Sequence, residues 1–462
     1  MKVLLIQPPQ VGHLGLQDMA LVEPLALERI AAAASEADIV LLDMRQDANL
    51  DAVLADLQPD LVGLACPFTT QVNTTLALAA RVKATCPHAF VVVGGHHPSL
   101  RPGDFRDPQV DALACGEGEH TFAELLACLK SGGDAAAVPG LTLNRDGGQQ
   151  TTAPRPAIAD LDALPLPARQ LTTAWRGQYY WMNQRPHALV ETSRGCPYRC
   201  NFCSVWRFHG SRVRYQSPER IVAEVAAVDE PWVFFTDDNF LLSVPRARRA
   251  AELIAARGLR KRYTFQARTD TLVANPELLE QWRDIGLVCV FLGLEKISDE
   301  ALAGVDKRNT AANNEAALQL LKDLGVGFTG NFIVDPQWEP RDFAELRAYV
   351  QRHELFNSSF SILTPLPGTL LFDEVEGQLT TRDWERFDLW HSVLPTKLPA
   401  EQFYSEFAGL WRAAAESAPR GRRLRRIVKG LMAMLRGEVD VAQMKRLRQG
   451  LRNLSDPQSY LQ

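Results

Sequence analysis

Cys196, Cys200 and Cys203 lie in one short loop, in the run Arg194-Gly-Cys-Pro-Tyr-Arg-Cys-Asn-Phe-Cys203. Thiolates are soft ligands and suit iron–sulfur clusters. Three of them on a four-iron cube leave one iron open. An open iron can bind and reduce a ligand, which a fully cysteine-ligated electron carrier cannot do. The rival reading of the spacing is a zinc loop. Zinc takes a fourth Cys or His, and His209 is the one candidate within ten residues.

A second concentration of chemistry is Phe234-Phe-Thr-Asp-Asp-Asn-Phe240. Thr236, Asp237 and Asp238 follow an apolar run of strand type. Carboxylates at a strand tip are costly to bury unpaired, and a bound ammonium group would satisfy them. The rival role is a helix N-cap, which Asp and Asn also suit. Further along, Gln266 and Arg268 end the run Tyr263-Thr-Phe-Gln-Ala-Arg268, and Glu295 ends Gly293-Leu-Glu295. A guanidinium at Arg268 matches a carboxylate in two-point geometry. For each of these single residues a structural salt bridge is an equal alternative.

The elements that must position these groups follow from the periodicity. Residues 1–150 alternate short apolar runs with helical patterns: Val3–Ile6, Ile39–Leu42, Leu61–Ala65, Phe90–Val93 and Ala112–Cys115 read as strands. Strand–helix alternation predicts a parallel, doubly wound α/β sheet, and such sheets bind ligands beyond the strand C-termini. Those ends carry Gln7-Pro8-Pro9, Cys66-Pro-Phe-Thr69-Thr70, Gly94-Gly95-His96-His97 and Cys115-Gly116-Glu117-Gly-Glu119. Small residues there allow close approach of a large ligand. Residues 151–186, rich in Pro and polar residues, read as a linker. Residues 187–370 again alternate, with six strand–helix units that suit a partial (β/α)6 TIM-type barrel with chemistry at the strand C-terminal ends. Residues 371–462 read as a helical C-terminal region. Its aromatics, Phe372, Trp384, Phe387, Trp390, Phe403, Tyr404, Phe407 and Trp411, either wall an apolar pocket or pack as ordinary helix core.

Composition bounds the rest. The chain has 462 residues, is 46% hydrophobic and 23% charged, and carries a net charge of −5. That balance predicts no nucleic-acid partner. Eight cysteines in such a length are no disulfide framework and point to a reducing cytoplasm. No stretch is long and apolar enough to span a bilayer. Residues 419–454 are strongly basic, with Ile427, Leu431, Met432, Met434 and Leu435 interleaved. This is either a solvated cap or an amphipathic helix resting on an anionic membrane, a peripheral contact at the inner membrane.

With both halves in view, the chain resembles the radical S-adenosylmethionine (SAM) enzymes with a cobalamin-binding domain, the class B methyltransferase group. Glu23-Pro-Leu25, Asp237-Asp-Asn-Phe-Leu241, Lys307-Arg-Asn309 and Val393-Leu-Pro-Thr-Lys-Leu-Pro399 look most similar to hopanoid C-3 methylases. The resemblance implies a [4Fe-4S] cluster on Cys196, Cys200 and Cys203. It implies SAM at Thr236, Asp237, Asp238, Gln266, Arg268 and Glu295. It implies cobalamin near Pro8, Thr69, Thr70, Gly94, Gly95, His96, Gly116, Glu117 and Glu119. The cobalt-ligating motif D-x-H-x-x-G is absent, so the expectation is base-off cobalamin, with His13, His96 and His97 at most at its periphery and the Pro67–Gln71 loop beneath the corrin. The implied reaction is reductive cleavage of SAM, hydrogen-atom removal from an unactivated carbon, and methyl transfer from methylcobalamin. The implied partners are a small-molecule or lipid substrate, of hopanoid type, and an electron donor such as flavodoxin or ferredoxin. Two other readings stay open at this stage: a cobalamin-dependent cyclisation without methyl transfer, and a non-catalytic cobalamin or electron carrier.

Overall fold

The computed structural model describes residues 1–12, 14, 19–145, 147–418 and 441–461. His13 and the part of the basic tail from 419 to 440 lie outside the described residues.

The first five predicted strands are present as β1 (Lys2–Gln7), β2 (Asp38–Asp43), β3 (Leu61–Ala65), β4 (Phe90–Gly94) and β5 (Ala112–Ala114). They are parallel and lie in the order β2-β1-β3-β4-β5. Helices cover both faces, so the runs are apolar throughout; every residue of β3 is buried. The order reverses between β1 and β3, and that switch point opens a crevice at the C-terminal edge. Two antiparallel strands, β6 (Leu141–Arg145) and β7 (Gly148–Thr151), extend the sheet beyond β5. Sequence analysis did not assign them. The dipeptide Asp146-Gly147 is a hairpin signal, and Gly147 has φ 71°.

The predicted linker is more than a spacer. Ile158, Leu161 and Leu164 form a small buried cluster, and Tyr179 is fully buried. The two-residue strand Tyr180–Trp181 pairs antiparallel with Ala20–Leu21. Apolar residues spaced among the prolines are what tie this strap down.

The second sheet has six parallel strands in sequence order: β8 (His187–Val190), β9 (Trp232–Phe235), β10 (Arg262–Ala267), β11 (Leu287–Glu295), β12 (Gly327–Val334) and β13 (Ser359–Ile362). Side chains alternate with period two. Val233, Phe235, Tyr263, Phe265, Val290 and Leu292 pack outward against the helices in one core. The intervening residues, among them Phe234, Gln266, Phe291 and Asn331, face the interior. Trp181 of the strap enters that interior and stacks on Phe234, centroids 5.5 Å apart, with its edge to Phe291 at 5.4 Å.

In the C-terminal region most of the aromatics are buried and pack as core. Phe403 meets Phe343 of the helix Pro340–Arg352, and Trp411 meets Phe360 of β13. Their spacing of three to four residues along Ala400–Glu416 turns one face onto the barrel. The helix Val441–Ser455 follows, with Lys445, Arg446, Arg448 and Arg452 exposed. Among the described residues no helix is long and apolar enough to cross a membrane.

Candidate active site

The cysteine loop leaves the C-terminal end of β8. Gly195 has φ 93°, and a Cβ there would lie 2.2 Å from the Arg212 carbonyl oxygen, so only glycine fits where the chain doubles back as Ser193–Arg194 pairs with Arg214–Tyr215. Cys200 is buried; Cys196 and Cys203 are half-buried. Burial pushes all three thiols up, Cys203 to about 12. Cys200 raises Cys196 further, and both raise Cys203, so the sulfurs sit within electrostatic reach of one another. Lys307 and Arg268 oppose the rise at Cys200. Three soft donors on one short loop with cations close by fit a multi-iron cluster with net negative charge. The loop is braced: Trp206 Nε1 donates to the Cys200 carbonyl at 3.3 Å, and Arg207 bonds the carbonyls of Gly368 and Thr369.

The two aspartates after β9 have different surroundings. Asp237 is buried and fully engaged: it accepts from Thr192 N–H at 3.2 Å, from the Thr192 hydroxyl at 2.7 Å and from the Ser193 hydroxyl, with Arg246 at 3.7 Å. It ties β9 to the start of the cysteine loop. Asp238 lies close enough to Gly195 of the loop for its N–H to favour the charged carboxylate. Burial, then the neighbouring charges of Asp237 and Glu191, push it up to about 6. No cation pairs with it among the described residues. Beside it Asn239 is buried with both amide atoms unpartnered. A carboxylate held beside a thiol loop with no counter-ion is suited to an ammonium group. Gln266 lies half-buried on β10, with no side-chain hydrogen bond among the described residues.

Arg268 and Glu295, expected at the same ligand, have protein partners. Arg268 stacks on Tyr198 at 3.7 Å, pairs with Asp270 at 3.0 Å, and donates to the carbonyls of Lys307 and Arg308. Glu295 pairs with Lys307 at 2.7 Å.

On the first sheet, the strand ends divide in the same way. Pro8, Thr70, Gly94 and Gly116 lie at or beyond the C-terminal ends of β1, β3, β4 and β5. Phe68, in the loop after β3, stands 59% exposed at the end of the sheet where such folds take ligands. Gly95 has φ 134°, and a Cβ would lie 2.5 Å from the Cys66 carbonyl oxygen, so the loops after β3 and β4 close on each other only with glycine. The other expected cofactor residues are engaged elsewhere. The His97 ring bonds Thr69 at 3.1 Å and Asp104 at 3.0 Å. His96 bonds Ser204 at 2.7 Å and stacks on Phe208 at 4.7 Å, joining the sheet to the helix that follows the cysteines. Burial, with His209 and His97, drops His96 to about 4, so its ring is neutral.

Glu117 and Glu119 bind Arg194, the residue two before Cys196. Arg194 also pairs with Glu191 at 2.9 Å, and Arg214 pairs with Glu117 at 2.8 Å. Burial works to raise Glu117, but Arg214 and Arg194 hold it at about 2. A second buried set lies below: Arg29 of the helix Leu25–Ala33 meets Glu191 and Glu224, while Arg169 of the strap meets Glu23 and Glu224. Both sets join the first sheet to the barrel.

A family model for the B12-binding domain matches residues 20–126, and one for the radical SAM superfamily matches residues 190–350. The hopanoid C-3 methylase of Methylococcus capsulatus is 36% identical over 393 residues, which are 83% of this chain and 75% of that protein. The chain belongs to the cobalamin-dependent radical SAM methyltransferases. The anaerobic magnesium-protoporphyrin IX monomethyl ester cyclase of Rubrivivax gelatinosus is 28% identical over 76% of this chain and 65% of its own length. Among solved structures, the cobalamin-dependent radical enzyme OxsB has a TM-score of 0.73 over 98% of this chain and 71% of that one, at 17% identity. The methyltransferase TsrM from Kitasatospora setae has a TM-score of 0.68 over 82% and 76%, at 21% identity. At those identities the likeness is one of fold.

The cofactors of the family are thus [4Fe-4S], SAM and cobalamin, and the donor sets above fit them. Sequence reasoning missed four residues of this radical SAM methyltransferase. Arg194 was read only as part of the cysteine run, and Glu191 and Tyr198 carried no pattern of their own. Lys307 was noted for family likeness, and its pairing with Glu295 needs the fold.

Proposed function

We propose that the enzyme methylates an unactivated ring carbon of a hopanoid-type polycyclic lipid. The observation that carries this reading is the 36% identity to a hopanoid C-3 methylase across most of both chains. A saturated polycycle has no acidic or nucleophilic carbon, so its methylation needs the radical chemistry that SAM, the cluster and cobalamin supply together. The residues of the chain bind, orient and exclude water. Cys196, Cys200 and Cys203 hold the cluster. Asp238, with Thr236 and Gln266, receives the SAM amino group. The edge formed by Pro8, Phe68, Thr70, Gly94 and Gly116 would hold cobalamin, which would supply the methyl group. The exposed basic face of Val441–Ser455 rests on anionic headgroups, from which an embedded lipid is presented. The protein is cytoplasmic and peripheral to the inner membrane, and flavodoxin or ferredoxin supplies the electron.

The test is methyl-labelled SAM with hopanoid-bearing anionic liposomes. Label in a ring-methylated product is expected, with protein sedimenting with the vesicles at low salt. Action on a water-soluble substrate instead removes the lipid reading. A cyclised product free of label would favour the cyclase activity named for the Rubrivivax relative.

The SAM contact has its own prediction. Asp238→Asn should weaken SAM binding about 10- to 100-fold, the value of a hydrogen bond to a charged group, with the cluster intact. The sign with pH follows from the raised carboxyl. Above about 6 Asp238 is ionised and ready for an ammonium. As pH falls through that value it takes a proton that SAM must displace, and affinity drops. The Asn variant should lack that drop, as measured by equilibrium dialysis from about pH 5 to pH 8, a range that spans the titration at about 6.

A further inference from the structure

The turn after the helix Asp299–Gly304 holds a strained backbone around one buried amine. Asp306 and Arg308 both have φ 49°, and Glu295, facing them from the end of β11, has φ 60°. Side chains avoid this left-handed region unless the surroundings enforce it. Between the two strained residues Lys307 turns inward, 8% exposed, with Nζ 2.7 Å from Glu295 Oε1. The pair needs Gly293, because a Cβ there would lie 2.4 Å from that oxygen and 2.6 Å from Nζ.

The turn is fastened to the cysteine loop. Asn201, adjacent to Cys200, donates its backbone N–H to the Val305 carbonyl at 3.3 Å and its amide to the Gly304 carbonyl at 3.4 Å. Arg268, stacked on Tyr198 of the loop, donates to the carbonyls of Lys307 at 2.9 Å and Arg308 at 2.8 Å. Asn309 bonds the Thr269 hydroxyl at 2.6 Å. Lys307 and Glu295 are both electrostatic neighbours of Cys200. Glu295 is the one partner of the Lys307 ammonium, whose other N–H groups are unused among the described residues.

A buried ion pair of this kind adds little to stability over an apolar pair, and here it is reached through three strained residues. We propose that the Lys307–Glu295 pair sets the reduction potential of the cluster at Cys200, with Lys307 as the positioning residue that places a positive charge beside it. Net charge and hydrogen bonding around the ligating sulfurs are what tune such potentials. One electron enters the cluster from the external donor, and no bond of the lysine changes. The ammonium favours the reduced, more negative cluster, and the carboxylate opposes it. The inference rests on the cluster being held by Cys196, Cys200 and Cys203.

The test is an EPR-monitored redox titration of reconstituted full-length protein, with iron counted per chain. Lys307→Gln should move the midpoint to more negative values, Glu295→Gln to more positive values, and the double variant back towards wild type. Shifts of opposite sign at unchanged iron content are what a merely structural role cannot produce. Unchanged midpoints, or shifts of the same sign, overturn the proposal. If Lys307→Gln loses iron, Glu295→Gln decides alone: a positive shift supports the tuning role, and a null or negative shift overturns it. Loss of iron in Glu295→Gln as well overturns it, since the pair is then a brace. Failure of the cluster assignment itself is distinguishable, because wild-type protein would then hold no four-iron cluster.

Discussion

Cys200→Ala is expected to bind no complete cluster after anaerobic reconstitution and to release no 5′-deoxyadenosine from SAM above background. Cys200 is the buried member of the three, and the loop closes around it through Trp206 on its carbonyl and Asn201 beside it. With two thiolates left, the cube loses a third of its protein ligands and its protected edge. Iron and sulfide analysis and product chromatography read the result. Cys128→Ala is the control: that thiol sits half-buried on the helix Gly118–Lys130 and should leave both measurements unchanged. A complete cluster in the variant lacking Cys196, Cys200 and Cys203 together would refute the assignment.

Arg194→Met is expected to destabilise the protein by about 3–5 kcal/mol, the cost of leaving buried partners of an ion pair uncompensated. Three carboxylates, Glu117, Glu119 and Glu191, lose their shared guanidinium; Glu117 keeps Arg214 and Glu191 keeps Arg29, which leaves Glu119 as the stranded charge. Urea denaturation reads the loss. Adding Glu119→Gln, which removes one stranded charge, should recover part of it. The functional expectation is a change in coupling. Arg194, two residues before Cys196, joins the cysteine loop to Glu117 and Glu119 after β5, so its loss should let the first sheet's edge and the cluster drift apart. Methylated product per 5′-deoxyadenosine formed should fall, while SAM cleavage persists. A ratio unchanged from wild type, in protein shown to be folded, would mean that the pairing carries stability alone.

The parts of this molecule legible in its sequence are those fixed by short-range pattern. Three soft ligands for one cluster must be cysteines at close spacing, so the loop announces itself. Strands buried on both faces must be apolar throughout, so β1 to β5 stand out. The two barrel carboxylates at Asp237 and Asp238 were visible as a pair, but which one is free was not, because that depends on Thr192, Ser193 and Arg246 arriving from elsewhere. The same holds for Glu117 and Glu119. Their position at a strand end suggests a ligand, yet Arg194, 75 residues from Glu119, claims them in the fold. His96 likewise reaches across 108 residues to Ser204. Long-range ion pairs and ring contacts leave no periodic trace, so a polar residue near a switch point can serve cofactor or interface with equal ease. The hairpin of β6 and β7 was missed for a different reason: its strands are short, with Leu141 and Leu143 of β6 the only apolar residues they bury, so the turn between them carries the clearest signal.

The strap from 151 to 186 also decides how this enzyme can be taken apart. Its Arg169 is bound into Glu23 on one side and Glu224 on the other, and its Trp181 fills space between Phe234 and Phe291. A chimera that exchanges cobalamin modules between relatives by cutting at residue 150 would graft a foreign surface onto the native strap, taking Glu23 from Arg169 and the Ala20–Leu21 pairing from the strand that carries Trp181. Cutting just after Trp181 would carry the tryptophan into a foreign interior. The module that can be shuffled is therefore not the one the two family matches outline: strap and interior aromatics form a third heritable piece, whose members must be exchanged together.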